Sequence, residues 1–145
     1  MALDLSGFHS LVKRLEKLEQ KELKVGVFNE HYDDGQSVAQ VAMWQEKGTS
    51  NIPSRPFMQR TFDNDEVKKL IAASFKAVAL RAIRGLSYES ALQILGANLA
   101  NHMKHILDTY PDRNTASTAA RKGFNKVLYD SGTLYNSIKF RVHRV

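Results

Sequence analysis

The sequence lacks cysteine and contains only three prolines and one tryptophan. Without cysteine, the chain forms no disulfide and offers no thiolate to a metal ion. No apolar run approaches the roughly 20 residues of a membrane helix. The first residues also lack the basic and apolar segments of a secretory signal. We therefore expect a protein that is made in the cytoplasm, acts there or on a particle assembled there, and does not contact a membrane.

The composition is that of one globular domain spanning residues 1–145. Hydrophobic residues make up 43% of the chain and charged residues 25%, both ordinary values for such a fold. The net charge is +6, and from Asn101 onward eight Lys or Arg residues stand against three acids. A basic surface favours nucleic acid or an acidic protein as partner. The aromatic and basic motif of single-strand nucleic-acid binders does not accompany this charge.

Apolar residues at spacings of three and four predict three substantial helices. The N-terminal helix is amphipathic, and we expect its apolar face to pack on the chain's own core, with a neighbouring chain as the alternative. Two longer helices supply the largest apolar surface. The first of these is capped by Asp63, Asn64 or Asp65, and the second by Ser87 or Ser90. The three apolar faces comprise Leu5, Phe8, Leu11, Leu15 and Leu18; Val67, Leu70, Ile71, Phe75, Val78 and Ile83; and Leu92, Leu95, Leu99, Met103 and Ile106.

Two segments alternate as strands do, Leu23–Phe28 and Ile138–His143. Two strands must pair with each other or with other chains to satisfy their edges. The prediction is an α+β fold, in which a small sheet packs against two long helices, with an N-terminal amphipathic helix and extended loops. The polar stretch Asp112–Lys126 is predicted to be a flexible loop, with a helical turn near Ala116–Lys122, that orders on assembly.

The stretch Val38–Phe62 contains the tryptophan and two of the prolines. Ser37 caps a short helix from Val38 to Glu46, and Gly48 ends it. From Asn51 to Arg60 we predict a loop, stiffened by Pro53 and Pro56 because proline fixes its own φ and restricts the residue before it. Two interpretations stay open: an arm that contacts a partner, or a rigid connector whose Phe57 fills the core.

No catalytic motif is present in the sequence. There is no HExxH, phosphate-binding glycine loop or nucleophile elbow. His102 and His105 share a helical face but lack a visible third metal ligand, and a hydrolase using them with Asp108 ranks last among our hypotheses. We therefore expect no enzymatic activity, no metal and no cofactor.

Two motifs resemble those of a known family. In the first, the matching residues are Glu46, Gly48, Thr49, Ile52, Pro53, Arg55, Pro56 and Phe57. They resemble the pattern of tailed-bacteriophage neck and tail-completion (head–tail joining) proteins, in which a small helix ending in Glu-aromatic-Gly-Thr precedes an Ile-Pro and Arg-Pro-Phe loop. Lys47 stands where that family usually has the aromatic residue. The second motif is Leu-x-Asp-Thr-Gly-x-Leu-x-x-Ser-Ile before a basic strand. The corresponding residues here are Leu128, Asp130, Ser131, Gly132, Thr133, Leu134, Ser137 and Ile138, with Ser131 in place of the usual threonine.

The resemblance implies a structural virion protein without enzymatic activity. Such a protein forms a homo-oligomeric ring, expected to be 6- or 12-fold, at the phage neck. There it joins the connector or head-completion proteins to the tail terminator or tail tube during tail assembly, with genome DNA passing through the ring. Alternatives are a tail terminator or minor tail protein on the same scaffold, and a small basic DNA-binding module.

The resemblance and the chemistry of the side chains together suggest an oligomer or partner interface, because aromatic and arginine anchors dominate such surfaces. A channel through which DNA slides should avoid a strongly attractive lining. We therefore expect Lys139 and Arg141 to point toward protein partners or solvent. The candidate interface residues are Trp44, Ile52, Pro53, Arg55, Pro56 and Phe57.

Overall fold

The computed structural model describes residues 3–112, 116–122 and 132–145. They form an α+β fold with a two-stranded sheet packed against long helices, which confirms the predicted class. Of the predicted loop Asp112–Lys126, residues 116–122 form a helix and residues 113–115 and 123–126 lie outside the described residues. The elements are α1 (Ser6–Glu19), β1 (Lys21–Val27), α2 (Val38–Lys47), α3 (Phe57–Asp63), α4 (Asp65–Ile83), α5 (Glu89–Asp108), α6 (Ala116–Lys122), α7 (Thr133–Asn136) and β2 (Ile138–Arg144).

The two strands pair with each other in an antiparallel ladder. The register runs from Lys21 opposite Arg144 to Val27 opposite Ile138. Along β2 the predicted alternation is present, since Ile138 is buried while Lys139 and Arg141 are exposed. One face of the sheet therefore covers the helices, and the other carries charged side chains.

Helix α5 lies at the centre of the core and contacts the sheet, α3 and α4. The sheet approaches it most closely at Gly96, where an added Cβ would lie 2.3 Å from the Phe140 ring and 2.9 Å from Leu23 Cδ1. A glycine at this position lets the strands pack directly on the helix backbone. The buried residues of α5 are Leu92, Leu95, Gly96, Leu99, Ala100, Met103 and Leu107.

Two predicted core faces are partly uncovered. Helix α1 contacts α4 and β1, as expected for packing on its own domain, but it buries none of its residues fully and Phe8 is 61% exposed. The expected packing of its apolar face on the core is therefore only partly present. A hydrogen bond from Arg14 Nη1 to the carbonyl oxygen of Ile83 (2.9 Å) links α1 to the end of α4. On α4, Phe75 and Ile83 are exposed as well. Helical periodicity identifies an apolar face, but not what covers it.

The helix ends agree with the predicted caps at two helices and differ at a third. Ser37 Oγ accepts a hydrogen bond from the Gln40 amide at the start of α2, and Asn64 Oδ1 accepts from the amides of Glu66 and Val67 at the start of α4. Helix α5 begins after Tyr88 without a side-chain cap. The predicted caps Ser87 and Ser90 were therefore wrong.

Candidate assembly site

The loop between α2 and α3, residues 48–56, is folded tightly upon itself. Gly48 ends α2 at φ 77°, and a Cβ there would lie 2.8 Å from the backbone nitrogen of Ser54. The Thr49 amide donates to the carbonyl oxygen of Ile52 (2.8 Å), while Thr49 Oγ1 accepts from the amides of Asn51 and Ile52. Glycine is needed here for both its backbone conformation and its small size.

Glu46, in the last turn of α2, fixes the start of α3. Its Oε2 accepts a hydrogen bond from the Met58 amide (2.9 Å), and its Oε1 accepts from the Gln59 amide (2.8 Å). First-turn amides have no partner within their own helix, and a carboxylate there is also favoured by the helix dipole. This contact explains why the loop predicted up to Arg60 instead ends at Phe57, where α3 begins.

Two further hydrogen bonds tie the loop to the end of α2. Ser54 Oγ donates to the carbonyl oxygen of Glu46 (2.8 Å), and the Arg55 amide donates to the carbonyl oxygen of Gln45 (2.6 Å). Each contributes about 1 kcal/mol. The loop is thus a brace between α2 and α3, held against its own chain rather than extended toward a neighbour.

Arg55 links this brace to the chain that follows α5. Its side chain is only 13% exposed, and Nη1 donates to Gln45 Oε1 (3.2 Å). Its Nε is 3.6 Å from Asp112 Oδ2, an ion-pair distance that is too long for a hydrogen bond. Of the candidate interface residues, Arg55 therefore acts mainly within its own chain.

Phe57 is fully buried, with 0% of its surface exposed. It lies in the main core cluster with Val38, Met103 and Leu107. The structure thus favours the interpretation of a rigid connector whose Phe57 fills the core, and Phe57 cannot serve as an anchor on a partner. Among the other candidates, Pro53 is exposed, and Trp44, Ile52 and Pro56 are half-buried.

The two sequence motifs meet in this same core. Val38, Ala42 and Phe57 come from the first motif and the helix before it, while Leu134 and Ile138 come from the second. Helix α7 contacts α2 directly. Segments about 80 residues apart in the chain therefore build one structural unit. In the second motif, residues 128, 130 and 131 lie outside the described residues.

Glu30 links the second motif to the loop that precedes α2. Its Oε2 accepts a hydrogen bond from Ser137 Oγ (2.8 Å), and its Oε1 is paired with Lys139 Nζ. The hydrogen bond from Lys139, and after it the one from Ser137, lowers the pKa of Glu30 from its ordinary value. The carboxylate thus neutralises one of the basic residues of β2.

Tyr110 closes the core at the end of α5. Its ring is almost fully buried, and the Arg60 guanidinium carbon lies 4.5 Å from the ring centre in a cation–π contact. Burial raises the pKa of the Tyr110 hydroxyl. Because Arg60 belongs to α3, this contact fastens α3 to the far end of the central helix.

The residues considered for catalysis are not assembled into a metal site. Across residues 3–112, 116–122 and 132–145, no group of three or more His, Asp or Glu side chains is placed to hold a metal ion. His102 is half-buried and His105 is exposed on α5. In the same ranges, no helix is long and apolar enough to cross a membrane.

An open apolar groove of about 870 Å³ lies alongside β1. The sequence patterns did not predict this groove. The strand forms one wall, α4 forms the other, and α5 lies between them. One property of the sequence could have indicated the groove. It predicts two long apolar helices but only two strands, which are too few to cover both helices. The apolar side chains that line the groove are Leu18, Leu23, Val25, Val27, Phe28, Phe62, Ile71, Phe75, Val78, Ala79, Leu92, Leu95 and Leu99.

Comparison of this chain with protein-family models, with curated protein sequences and with solved structures finds no match in any of the three.

Proposed function

We propose that this chain is a structural subunit of a tailed-bacteriophage particle, forming a ring at the neck that joins the connector to the tail. The observation that carries the proposal is the meeting of the two motifs in one core. Val38 and Phe57 from one motif segment pack in the same cluster as Leu134 and Ile138 from the other. Two short patterns that resemble one family thus describe a single spatial unit, so their joint occurrence has a structural reason.

The uncovered apolar surface supports a role in assembly. Phe8 of α1 and Phe75 of α4 are both more than half exposed, and the groove beside β1 is lined mainly by apolar side chains. Burying such a large side chain contributes roughly 1.5–3 kcal/mol. An apolar groove with exposed aromatic side chains is a candidate surface for protein–protein contact.

The proposal is tested on particles produced with and without this chain. With the chain present, electron microscopy should locate it on the tail axis between head and tail. Without it, filled heads and separate tails should accumulate, because the joining ring is missing. When the missing chain is then supplied again, the wild type should restore the joining of heads to tails. A variant with a neutral substitution at the exposed residue Ser90 should do so equally well. Infectious tailed particles that contain no copy of this chain would refute the proposal.

The same experiment separates the tail-terminator alternative. A protein that ends the tail controls its length, so its loss should give tails of irregular length rather than unjoined heads and tails. A minor tail protein would instead be found along or at the far end of the tail. The position of the chain on the axis and the tail lengths therefore decide among the three assignments.

The DNA-binding alternative has weaker support from the structure. Lys139 is paired with Glu30, and the guanidinium carbon of Arg141 lies 4.2 Å from the centre of the Phe28 ring. Two of the three Lys and Arg residues of β2 are thus already engaged. A DNA-binding module should bind duplex DNA at low salt and lose affinity steeply as salt rises. A gel-shift titration that shows such binding would favour this alternative.

A further inference from the structure

The outer edge of β1 presents backbone groups that pair with no strand among residues 3–112, 116–122 and 132–145. The Val145 amide donates to the carbonyl oxygen of Gln20 (2.7 Å), one step beyond the pair Lys21–Arg144. Hydrogen-bonded and non-hydrogen-bonded pairs alternate along an antiparallel ladder. Residues Glu22, Lys24 and Gly26 therefore turn their backbone groups toward β2. The backbone N–H and C=O groups that point away from β2 belong to Lys21, Leu23, Val25 and Val27. No other strand among the described residues pairs with them.

Within the part of the chain that the structure describes, the outer edge of β2 is open in a complementary way. By the same alternation, its outward backbone groups belong to Ile138, Phe140, Val142 and Arg144. Within the chain, each of these residues is opposite one of the outward residues of β1. A second β2 could therefore bind the outer edge of β1 in the same register, using only the groups that the first pairing leaves free.

We propose that β2 of a second copy of this chain pairs antiparallel with the outer edge of β1. Val25 then stands opposite Phe140 of the second copy, and Leu23 opposite its Val142. The inference deepens the proposed neck ring and rests on it for the closure of the ring. Repeated from copy to copy, the contact is head-to-tail, and such contacts close into rings when the rotation allows.

Complementarity between the two strands is already visible within one chain, because β1 and β2 pair over all seven residues. In the repeated register, the apolar residues of both strands again share one face, next to the groove. On the other face, Glu22 stands opposite His143 of the second copy. The same two residues are opposite each other within one chain, where His143 Nε2 lies 2.9 Å from Glu22 Oε2. Closure of the sheet leaves no free edge, which removes the hazard of uncontrolled edge pairing.

The widths of the two layers set the direction in which the ring curves. Two strands occupy about 10 Å of a sheet, whereas two helices packed side by side, α4 and α5, occupy about 16–20 Å. Because the helix layer is the wider one, a closed ring of such copies has the strands inside and the helices outside.

This arrangement turns the charged face of the sheet, with Lys139 and Arg141, toward the ring axis. That differs from the sequence-based expectation that these residues avoid the channel. Their engagement with Glu30 and Phe28 reduces the attraction that they would exert on DNA. The channel wall is thus basic but partly neutralised.

Single-cysteine variants test the contact directly, because the natural sequence has no cysteine. Lys24→Cys is placed in one chain and Arg141→Cys in a second chain of different size, and the two are mixed under mild oxidation. Lys24 and Arg141 of the second copy form a non-hydrogen-bonded pair in the proposed register, with Cβ atoms about 4.5–5.5 Å apart. We expect a disulfide between the two different chains, and native mass spectrometry of the wild type should show a closed oligomer of one defined size.

The matched control replaces Arg141→Cys by Ser90→Cys, an exposed position at the start of α5, which should give no cross-link above background. A chain that remains monomeric at its highest soluble concentration overturns the inference. A ring in which Lys24→Cys cross-links only to Lys24→Cys, or does not cross-link at all, also overturns the inference. This outcome, unlike a monomer, leaves the proposed neck function standing. A ring with the expected cross-link in a chain that is absent from particles retains the inference for the oligomer and refutes the neck function.

Discussion

Replacement of Gly96 by alanine tests how closely the sheet packs on α5. In an ordinary helix this change stabilises the protein by roughly 0.5–1 kcal/mol, because glycine loses more backbone freedom on folding. At Gly96, however, the new Cβ would lie 2.3 Å from the Phe140 ring, whereas carbon atoms normally rest about 3.5–4.0 Å apart. The sheet must move by more than about 1 Å, and overpacking of a core typically costs 1–3 kcal/mol.

We expect Gly96→Ala to lower the free energy of unfolding by about 1–2 kcal/mol, which lowers Tm by roughly 2–8 °C in a chain of this size. Gly7→Ala in α1 is the matched control, since a Cβ there meets nothing within 4 Å. It should leave Tm unchanged or raise it slightly. Thermal and urea unfolding followed by circular dichroism measure both.

Removal of the Phe140 ring should reduce the loss of stability caused by Gly96→Ala. In a Phe140→Leu background, Gly96→Ala should cost less than it does in the wild type, because the ring that it meets is gone and residues in contact are not additive. If Gly96→Ala raises Tm as Gly7→Ala does, or costs the same with and without Phe140, the close packing of strand on helix is wrong.

Three further predictions concern the motifs. Glu46→Ala should cost about 1–2 kcal/mol by leaving two amides of α3 without their acceptor, while Glu46→Gln, which retains one acceptor oxygen, should cost less in urea unfolding. Phe57→Ala should cost about 3–5 kcal/mol, and a change below 1 kcal/mol in chemical denaturation would contradict its burial. The Glu30 pKa is lowered from 4.5, so its stabilising contribution is full above that value and disappears as pH falls through the lower pKa of the folded state. The stability difference between wild type and Glu30→Gln should therefore shrink from pH 7 to pH 3, and a difference independent of pH would contradict the Lys139 contact.

The fold class and most elements, though not α3, could be predicted from local patterns. Alternation along Ile138–His143 and helical spacing along Leu92–Met103 follow from which side chains are buried on one face. The caps at Ser37 and Asn64 follow from local hydrogen bonding. These features depend on residues within a few positions of one another, so the sequence displays them directly.

The candidate site could be predicted less well because its contacts join distant residues. Nothing local shows that the Glu46 carboxylate reaches the amides of Met58 and Gln59. Proline predicts a stiff loop, but not whether that loop points outward or folds back. The same limit applies to α1, where the apolar spacing of Leu5 and Phe8 is equally compatible with a core and with an exposed surface.

The burial of Phe57 changes where an interface should be sought. The strongest motif in the sequence proves to hold α2, α3 and α5 together, and its aromatic anchor is unavailable to a partner. A subunit contact must then use surface that the fold leaves unsatisfied. The outer edge of β1 meets that requirement, because it combines outward backbone groups with an adjoining apolar groove. In the proposed assembly, rigid motif residues and open strand edges thus have separate roles: the first fix the position of the sheet on the helices, and the second accept the strand of another copy.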